Sequence, residues 1–242
     1  MRKIILSFLL VFLPGLALAA GGGAHLDKAD IDLHNQQSLQ RGAKLFVNYC
    51  LSCHSAQHMR YNRMGRDIGL TDGQVIENLM FASDKIGNQM TIAMSRNDAK
   101  EWFGAPPPDL TLVARVRGAD WLYTYLRTFY VDDTRPFGVN NIVFPSVGMP
   151  HVLWELQGVQ KPVFKKDAHG NEVIDHLEVV EPGTMTTVEY DKAMRDLVNF
   201  LVYMAEPAKL ERYALGVKVI LFLLVFLVVA YLLKKEYWKD IH

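Results

Sequence analysis

The chain has 242 residues with a formal net charge of zero, and hydrophobic residues make up 50% of it. Disordered chains are more polar and nucleic-acid-binding chains more basic, so this composition argues against both classes. Two apolar segments at the ends account for much of the hydrophobic fraction. Between them lies enough chain for one domain of ordinary size.

The N-terminus has the pattern of a secretory signal peptide. Arg2 and Lys3 precede the apolar run Ile4–Leu13, and Ala17-Leu18-Ala19 has the small residues that signal peptidase accepts. The apolar run is too short to span a bilayer comfortably. We expect residues 1–19 to be a signal peptide that is removed from the mature protein. An uncleaved N-terminal anchor is the alternative.

The first helix is predicted over Gln36–Tyr49, with Ser38 as a candidate N-cap. Gly42 would allow another helix to approach closely at that point. The apolar residues along one side of the predicted helix are Leu39, Ala43, Phe46 and Val47.

The two cysteines lie in the sequence Cys50-Leu51-Ser52-Cys53-His54. This is the attachment pattern of haem c. Two thiols three residues apart can add to the two vinyl groups on one edge of a porphyrin, and the histidine that follows is carried beneath the iron. We therefore predict one haem c, attached through two thioethers at Cys50 and Cys53, with His54 as an axial ligand.

Three other interpretations of this motif exist. A simple disulfide between Cys50 and Cys53 is compatible with an exported protein. A thioredoxin-like redox pair would begin a helix that follows a strand, whereas here a helical pattern precedes Cys50. A zinc site would need further ligands, and the sequence holds no second cysteine pair.

A stiff loop with three prolines, residues 105–110, is followed closely by Arg115 and Arg117. Haem carries two propionates, and burying these carboxylates requires cations or hydrogen-bond donors. One of the two arginines is therefore a candidate propionate partner. An arginine pair that is simply solvated is the alternative.

A sixth ligand is expected if the haem transfers electrons, and a methionine thioether raises the reduction potential. Met149 is the first candidate because residues 145–150 form a proline-bounded loop without a helical pattern. Met59 and Met64 lie too near the attachment motif, and Met194 and Met204 have core spacing. The other candidates that remain open are Met80, Met90, Met94 and Met185.

The rest of the domain contains an aromatic helical stretch at Asp120–Phe129 and a strand-like excursion at Val163–Val180 with a turn at residues 169–171. A second long helix is predicted over Tyr190–Ala205, with a capping box formed by Thr186 and Glu189. Two helices that bracket a haem-binding middle indicate a mainly α, cytochrome c-like haem domain with long loop insertions.

The C-terminal segment Ala214–Leu233 contains one charge, Lys218, and is long enough to span the roughly 30 Å of a hydrocarbon core. Three lysines follow, which by the positive-inside rule places residues 234–242 in the cytoplasm. Residues 20–213 would then form a periplasmic domain on a bacterial inner membrane. A buried core helix is the alternative.

The ordered motifs of the chain resemble the cytochrome c1 family, the haem c subunit of the ubiquinol–cytochrome c reductase (bc1) complex. The motifs that carry the resemblance are Arg41-Gly42, Cys50-x-x-Cys53-His54-Ser55, Pro107-Pro108-Asp109-Leu110, Arg115-x-Arg117, Phe144-Pro145, Gly148-Met149-Pro150 and Met204-Ala205-Glu206-Pro207. The resemblance implies that His54 and Met149 are the axial ligands. It also implies that Arg117 contacts a propionate, with Arg115 and Pro108 in the same haem site.

The resemblance further implies a role and a set of partners. The chain would pass one electron from a Rieske iron–sulfur protein to cytochrome c, as a subunit of the reductase with no acid–base catalysis of its own. A cytochrome b subunit and the membrane would be its other partners, in a dimeric complex, and no nucleic acid is expected. The alternatives are a free-standing membrane-tethered carrier, a terminal-oxidase subunit, and a thiol redox or metal-binding domain.

Overall fold

The computed structural model describes residues 25–240. The segment expected to be a signal peptide, residues 1–19, lies outside the described residues. The described chain is mainly helical, and its three small sheets have two strands each. The predicted mainly α architecture, followed by one long C-terminal apolar helix, is confirmed.

Two long helices near the ends of the domain pack against each other. Helix α1 covers Gln36–Leu45 and continues as a π-helical turn over Phe46–Cys50, and its partner, α8, covers Thr187–Ala205. Gly42 lies at the contact, where a Cβ atom would clash with the backbone oxygen of Asp196 and come within 2.7 Å of the Phe200 Cβ. The close approach that the sequence predicted at Gly42 is therefore confirmed.

The sequence predicted the N-terminal cap of α8 correctly and that of α1 incorrectly. The capping box of Thr186 and Glu189 at the start of α8 is present as expected. The N-cap of α1 is Asn35, whose side chain accepts a hydrogen bond from the Ser38 backbone N–H, so the expectation of Ser38 was wrong. The Ser38 hydroxyl instead accepts a hydrogen bond from the Asn199 side chain of α8 at 3.0 Å.

An ion pair also joins these helices. The guanidinium of Arg41 donates to both carboxylate oxygens of Asp196, at 2.5 and 3.0 Å. Asp196 is a buried charge, and a bidentate arginine is the partner that best compensates the loss of its hydration. The pair fixes the register of α1 on α8, and therefore the position of the cysteine motif at the end of α1.

The chain between α1 and α8 folds into short elements. The helices are α2 (Tyr61–Asp67), α3 (Asp72–Asn78), α4 (Arg96–Phe103), α5 (Val113–Arg117), α6 (Ala119–Arg127) and α7 (Trp154–Gln157). The strands are β1 (Ala56–Arg60), β2 (Gln89–Met90), β3 (Phe129–Val131), β4 (Val139–Asn141), β5 (Gly158–Lys166) and β6 (Glu172–Pro182). Antiparallel pairs form between β1 and β2, β3 and β4, and β5 and β6.

The expected strand-like excursion is the ribbon of β5 and β6. It begins at Gly158, five residues before the expected start, and ends at Pro182, two residues after the expected end. Asp167 closes the connecting turn by accepting hydrogen bonds from backbone N–H groups of His169 and Asn171, and Gly170 adopts a φ of +83°. The expected turn at residues 169–171 is therefore confirmed.

The core of the domain lies between α1, α8 and the short helices. Met194 and Met204 are fully buried in it, as their spacing predicted. Met59, Met64 and Met90 are also almost completely buried among apolar side chains. These five methionines fill space in the core, which is the ordinary role of this residue.

Helix α9, Lys209–Tyr237, begins three residues after α8 ends. Among the described residues it is the one helix long and apolar enough to cross a membrane, and none of its residues is buried by the rest of the chain. It includes the whole of the predicted span, residues 214–233. The alternative of a buried core helix is therefore wrong.

Candidate functional site

The cysteine motif closes the helical segment that begins with α1. The carbonyl oxygen of Cys50 accepts hydrogen bonds from the backbone N–H groups of Cys53 at 3.1 Å and His54 at 2.8 Å. This tight turn therefore places Cys50, Cys53 and His54 on one bend of the chain. A thioredoxin-like pair would begin a helix, whereas Cys50 is the last residue of the π-helical turn and Cys53 follows it.

The electrostatics of Cys50 also argue against thiol redox chemistry. Burial, together with the neighbouring Cys53, raises the pKa of the Cys50 thiol to about 12. A reactive cysteine needs its thiolate form near neutral pH, and an apolar environment suppresses that form. The arrangement suits a thiol that is converted once into a thioether better than one that cycles.

His54 is oriented by a residue far away in the sequence. Its Nδ1 lies 2.7 Å from the carbonyl oxygen of Pro108. Because a carbonyl can only accept, Nδ1 carries the proton and donates it, which leaves the lone pair of Nε2 available for a metal. Burial lowers the pKa of His54, so the imidazole is neutral near pH 7.

The loop that presents the Pro108 carbonyl is itself held in place by Asp109. Its carboxylate accepts hydrogen bonds from the Gln57 backbone N–H at 2.8 Å and from both the N–H and the hydroxyl of Thr111. Ser55 accepts two more hydrogen bonds. Its carbonyl oxygen accepts one from the N–H of Leu110, and its hydroxyl oxygen accepts one from the N–H of Ile92. These contacts fasten the proline loop to the segment after His54.

The roles of Asp109 and Ser55 were not predicted from the sequence. For Asp109 a local signal exists, since an aspartate two residues before a threonine is a common turn in which the carboxylate binds the backbone. For Ser55 no local signal exists, because its partners lie 37 and 55 residues away.

Met149 lies in a loop without helix or strand, as predicted, and its side chain is partly exposed. The Tyr125 hydroxyl donates a hydrogen bond to its sulfur, with 3.4 Å between the two atoms. The loop is stabilised at Ser146, whose backbone N–H donates to the Asn140 side chain at 2.8 Å, although its φ is +64°. After Asp109 and Ser55, Tyr125 is a third residue near this site that the sequence did not single out.

The methionines that remained open as alternatives fall into two groups. Met80 and Met90 are buried in the core cluster, while Met94 and Met185 are partly exposed as Met149 is. Met149 is the one of these whose sulfur accepts a hydrogen bond from another side chain within the described residues.

The two candidate arginines lie in different surroundings. The guanidinium of Arg117 lies 4.9 Å from the centre of the Trp121 ring and 5.6 Å from that of Phe144. Trp121 stacks on Tyr125 with 4.9 Å between ring centres, which connects Arg117 to the aromatic group that contacts Met149. Arg115 instead lies 4.0 Å from the Glu206 carboxylate, near the start of α9.

This donor set fits a haem c. Two thiols lie on one bend, a neutral imidazole has its Nε2 lone pair available, and a thioether is held in a stable loop. Nitrogen and thioether sulfur are the axial ligands of electron-transfer haems of this type. Arg117, whose guanidinium lies over the Trp121 ring, offers a planar set of hydrogen-bond donors.

Comparison with known proteins shows which family the chain resembles. The family model described as Cytochrome C1 family matches residues 28–241. The chain is 53% identical to cytochrome c1 of Allochromatium vinosum and 49% identical to the ammonia monooxygenase gamma subunit of Nitrosomonas europaea, each match covering 100% of both chains. It is 26% identical to cytochrome c1 of Rhodospirillum rubrum, over 94% of this chain and 95% of that one.

Among solved structures, a chain of a hyperthermophilic respiratory Complex III aligns over 100% of this chain and 98% of its own length, with a TM-score of 0.49 and 15% identity. The family is shown by the family model and by the 53% identity to the Allochromatium vinosum protein, without this structural match. The chain belongs to the cytochrome c1 family.

Proposed function

We propose that this chain is the haem c subunit of a quinol–cytochrome c reductase, or bc1 complex. The observation that carries the proposal is the Cys50–His54 motif, with the Nδ1 of His54 fixed on the Pro108 carbonyl, in a chain that matches the cytochrome c1 family over residues 28–241. The resulting Nε2 lone pair is what an axial haem ligand requires.

The residues that would hold the group are assigned as follows. Cys50 and Cys53 would form the two thioethers to one haem c, and His54 and Met149 would supply a nitrogen and a sulfur ligand to its iron. Arg117 binds a propionate, for which its planar set of donors is suited. When bound, the haem supplies a one-electron couple between ferric and ferrous iron. The chain contributes ligand choice, burial and orientation, and no acid–base catalysis.

In the complex, this chain accepts one electron from a Rieske iron–sulfur protein and delivers it to cytochrome c. A cytochrome b subunit is its membrane partner, and the assembly is dimeric. The chain is thus part of an enzyme without being one alone.

The proposed topology follows from the two ends of the sequence. Residues 1–19 are the signal peptide and residues 20–213 form the periplasmic haem domain. Residues 214–233, within α9, cross the inner membrane once, and residues 234–242 lie in the cytoplasm. Support comes from the exposed apolar surface of α9 and from Lys234, Lys235 and Lys239 at its end.

A free-standing tethered carrier is the alternative function. Such a carrier needs a long flexible linker to move between partners. Here only residues 206–208 separate α8 from α9, and Glu206 forms a 2.6 Å ion pair with Arg212 of α9. This short and braced junction favours a domain held at one place within a complex.

The test is to purify the tagged chain from its own membranes in a mild detergent. We expect it to bring b-type haem, an iron–sulfur protein and inhibitor-sensitive quinol–cytochrome c reductase activity. If the chain arrives alone, red but inactive with quinol, it is a tethered carrier. Because one relative is named an ammonia monooxygenase subunit, the co-purifying proteins should also be identified by mass spectrometry. Recovery of a monooxygenase instead of a cytochrome b would contradict the proposal.

A further inference from the structure

The hydroxyl of Tyr125 is directed at the sulfur of Met149, with 3.4 Å between the two atoms. That separation is normal for a hydrogen bond to sulfur, which is a larger and weaker acceptor than oxygen. The thioether has no proton to give, so the tyrosine is the donor. The bond joins the end of helix α6 to the loop that carries Met149.

The ring of Tyr125 is fixed by three aromatic neighbours. Trp121 stacks on it nearly parallel, at 4.9 Å between centres and 10° between planes. Phe129 and Phe144 meet it edge to face, at 5.1 and 6.5 Å. Stacked and edge-to-face contacts are the favourable arrangements for aromatic rings. The hydroxyl is therefore aimed by packing and does not need Met149 to hold it there.

We propose that Tyr125 is a positioning residue for the sixth ligand, and that its hydrogen bond to Met149 raises the reduction potential of the haem. The inference rests on the proposed function, because it takes Met149 as that ligand. A donor bonded to one lone pair of the sulfur withdraws electron density from the other. The sulfur then donates less electron density to the iron and stabilises the ferric state less. The ferrous state is favoured in comparison, so the reduction potential rises.

The hydrogen bond also acts on the geometry of the loop. It limits the rotation of the thioether, so with the haem bound one lone pair of the sulfur would stay available to the iron. Without it, Met149 would leave the iron more often and small external ligands would enter more easily. Partners of metal ligands that act in this way typically alter metal-site properties when they are replaced.

The test compares Tyr125→Phe with Tyr123→Phe in the purified full-length holoprotein within its complex. Phenylalanine keeps the ring and its stacking and removes only the hydroxyl. Tyr123 lies on the same helix, two residues away, and its ring instead lies under the Arg127 guanidinium at 4.5 Å. It therefore controls for the loss of a buried tyrosine hydroxyl in α6.

For Tyr125→Phe, we expect the ratio of ferrous to ferric protein at a fixed ambient potential to fall about two- to tenfold, the range that a modest hydrogen bond can supply. Binding of imidazole to the ferric protein should become tighter, and the absorption band of the sulfur ligand should remain. Tyr123→Phe should leave the ferrous-to-ferric ratio, the affinity for imidazole and the sulfur absorption band unchanged. Equal potentials for Tyr125→Phe and the unmodified protein would overturn the inference.

A second variant guards against poor folding of the first. Site-specific 3-fluorotyrosine at position 125 keeps the hydroxyl and nearly the same size but is a stronger donor, so the potential should rise. If Tyr125→Phe yields no holoprotein, an unchanged potential in the fluorinated protein overturns the inference alone. The assignment of Met149 as the sixth ligand fails separately, if Met149→Leu retains the absorption band of a sulfur ligand. The proposed function fails separately again, if the purified chain brings no b-type haem and no quinol–cytochrome c reductase activity.

Discussion

The Pro108 carbonyl oxygen accepts a hydrogen bond from His54 Nδ1 at 2.7 Å, across 54 residues of sequence. A proline is well suited to this task because its ring fixes its own φ and limits the movement of the carbonyl. The bond selects the tautomer and the plane of the imidazole together. It also makes the ring a better electron donor, which favours the ferric state of a bound iron.

Asp109 determines whether that carbonyl stays in place. We expect Asp109→Ala to lower the free energy of unfolding by about 1–3 kcal/mol, since the N–H of Gln57 and both donors of Thr111 lose their acceptor. The loop would loosen, the imidazole would lose part of its hydrogen bond, and the reduction potential would rise. Thermal unfolding and redox titration of the holoprotein measure the two effects.

Asp133→Ala is the matched control for this change. Asp133 is exposed in the turn between β3 and β4, and within the described chain its carboxylate has no hydrogen bond. Replacing Asp133 by alanine should alter neither the thermal unfolding nor the reduction potential. Equal effects of the two alanine variants would show that the loop around Pro108 does not depend on Asp109.

Met149→Leu tests the sixth ligand directly. Leucine has nearly the same volume, so the partly exposed site should tolerate it at a cost below about 1.5 kcal/mol. The haem should stay attached, because the thioethers at Cys50 and Cys53 do not depend on the axial sulfur. We expect a lower potential, loss of the sulfur absorption band, and binding of carbon monoxide to the ferrous iron.

Met94→Leu and Met185→Leu are the corresponding controls, since both methionines are partly exposed like Met149. A redox titration that is unchanged in Met149→Leu and altered in one of these variants would move the sixth ligand to that residue. The same three proteins, tested with carbon monoxide, give an independent reading of which sulfur protects the iron.

Gly42→Ala and Gly73→Ala should have opposite effects on stability. At Gly42 a methyl group would meet the backbone oxygen of Asp196, which moves only if α1 and α8 separate, so we expect a loss of at least about 1–3 kcal/mol. At Gly73, in α3, a Cβ meets nothing within 4 Å, so alanine should add up to about 0.5–1 kcal/mol. Chemical unfolding followed by circular dichroism gives both values. Similar effects at the two sites would refute the close helix contact.

The elements that the sequence predicted correctly are those with a local cause. The capping box at Thr186 needs only residues 186–189, and the turn at Gly170 needs only its neighbours and Asp167. The cap of α1 failed as a prediction because Asn35 and Ser38 are both good caps by composition. The choice between them depends on Asn199, which lies 161 residues from Ser38 and occupies its hydroxyl.

In the candidate site, too, features of short segments could be predicted and contacts between distant residues could not. The cysteine motif and the loop of Met149 could be predicted because spacing and proline content are properties of short segments. The hydrogen-bond partners of His54 and Met149 could not be predicted, since Pro108 reaches His54, and Tyr125 reaches Met149, only in the folded chain. The separation of Arg115 from Arg117 was also hidden, as two residues on a short helix can face different elements.

Glu206 joins the domain that ends with α8 to the long apolar helix α9. Its carboxylate binds Arg212 of α9 at 2.6 Å and lies 4.0 Å from Arg115 of α5. The Arg212 hydrogen bond, with Arg115 also nearby, holds the pKa of Glu206 below its ordinary value of 4.5. The folded-state pKa is depressed, so the interaction is fully present above pH 4.5 and is lost as the pH falls through the depressed value.

We expect Glu206→Gln to loosen the orientation of the haem domain on α9 while leaving its unfolding temperature almost unchanged, because exposed ion pairs contribute little to stability. Linear dichroism of the haem in oriented membranes should show a broader angular distribution than in the unmodified protein near pH 7. Lowering the pH through the depressed pKa of Glu206 should broaden the angular distribution of the unmodified protein in the same way. Glu211→Gln is the control, since Glu211 is exposed in the first turn of α9. An unchanged distribution in Glu206→Gln would mean that the three-residue junction alone fixes the domain.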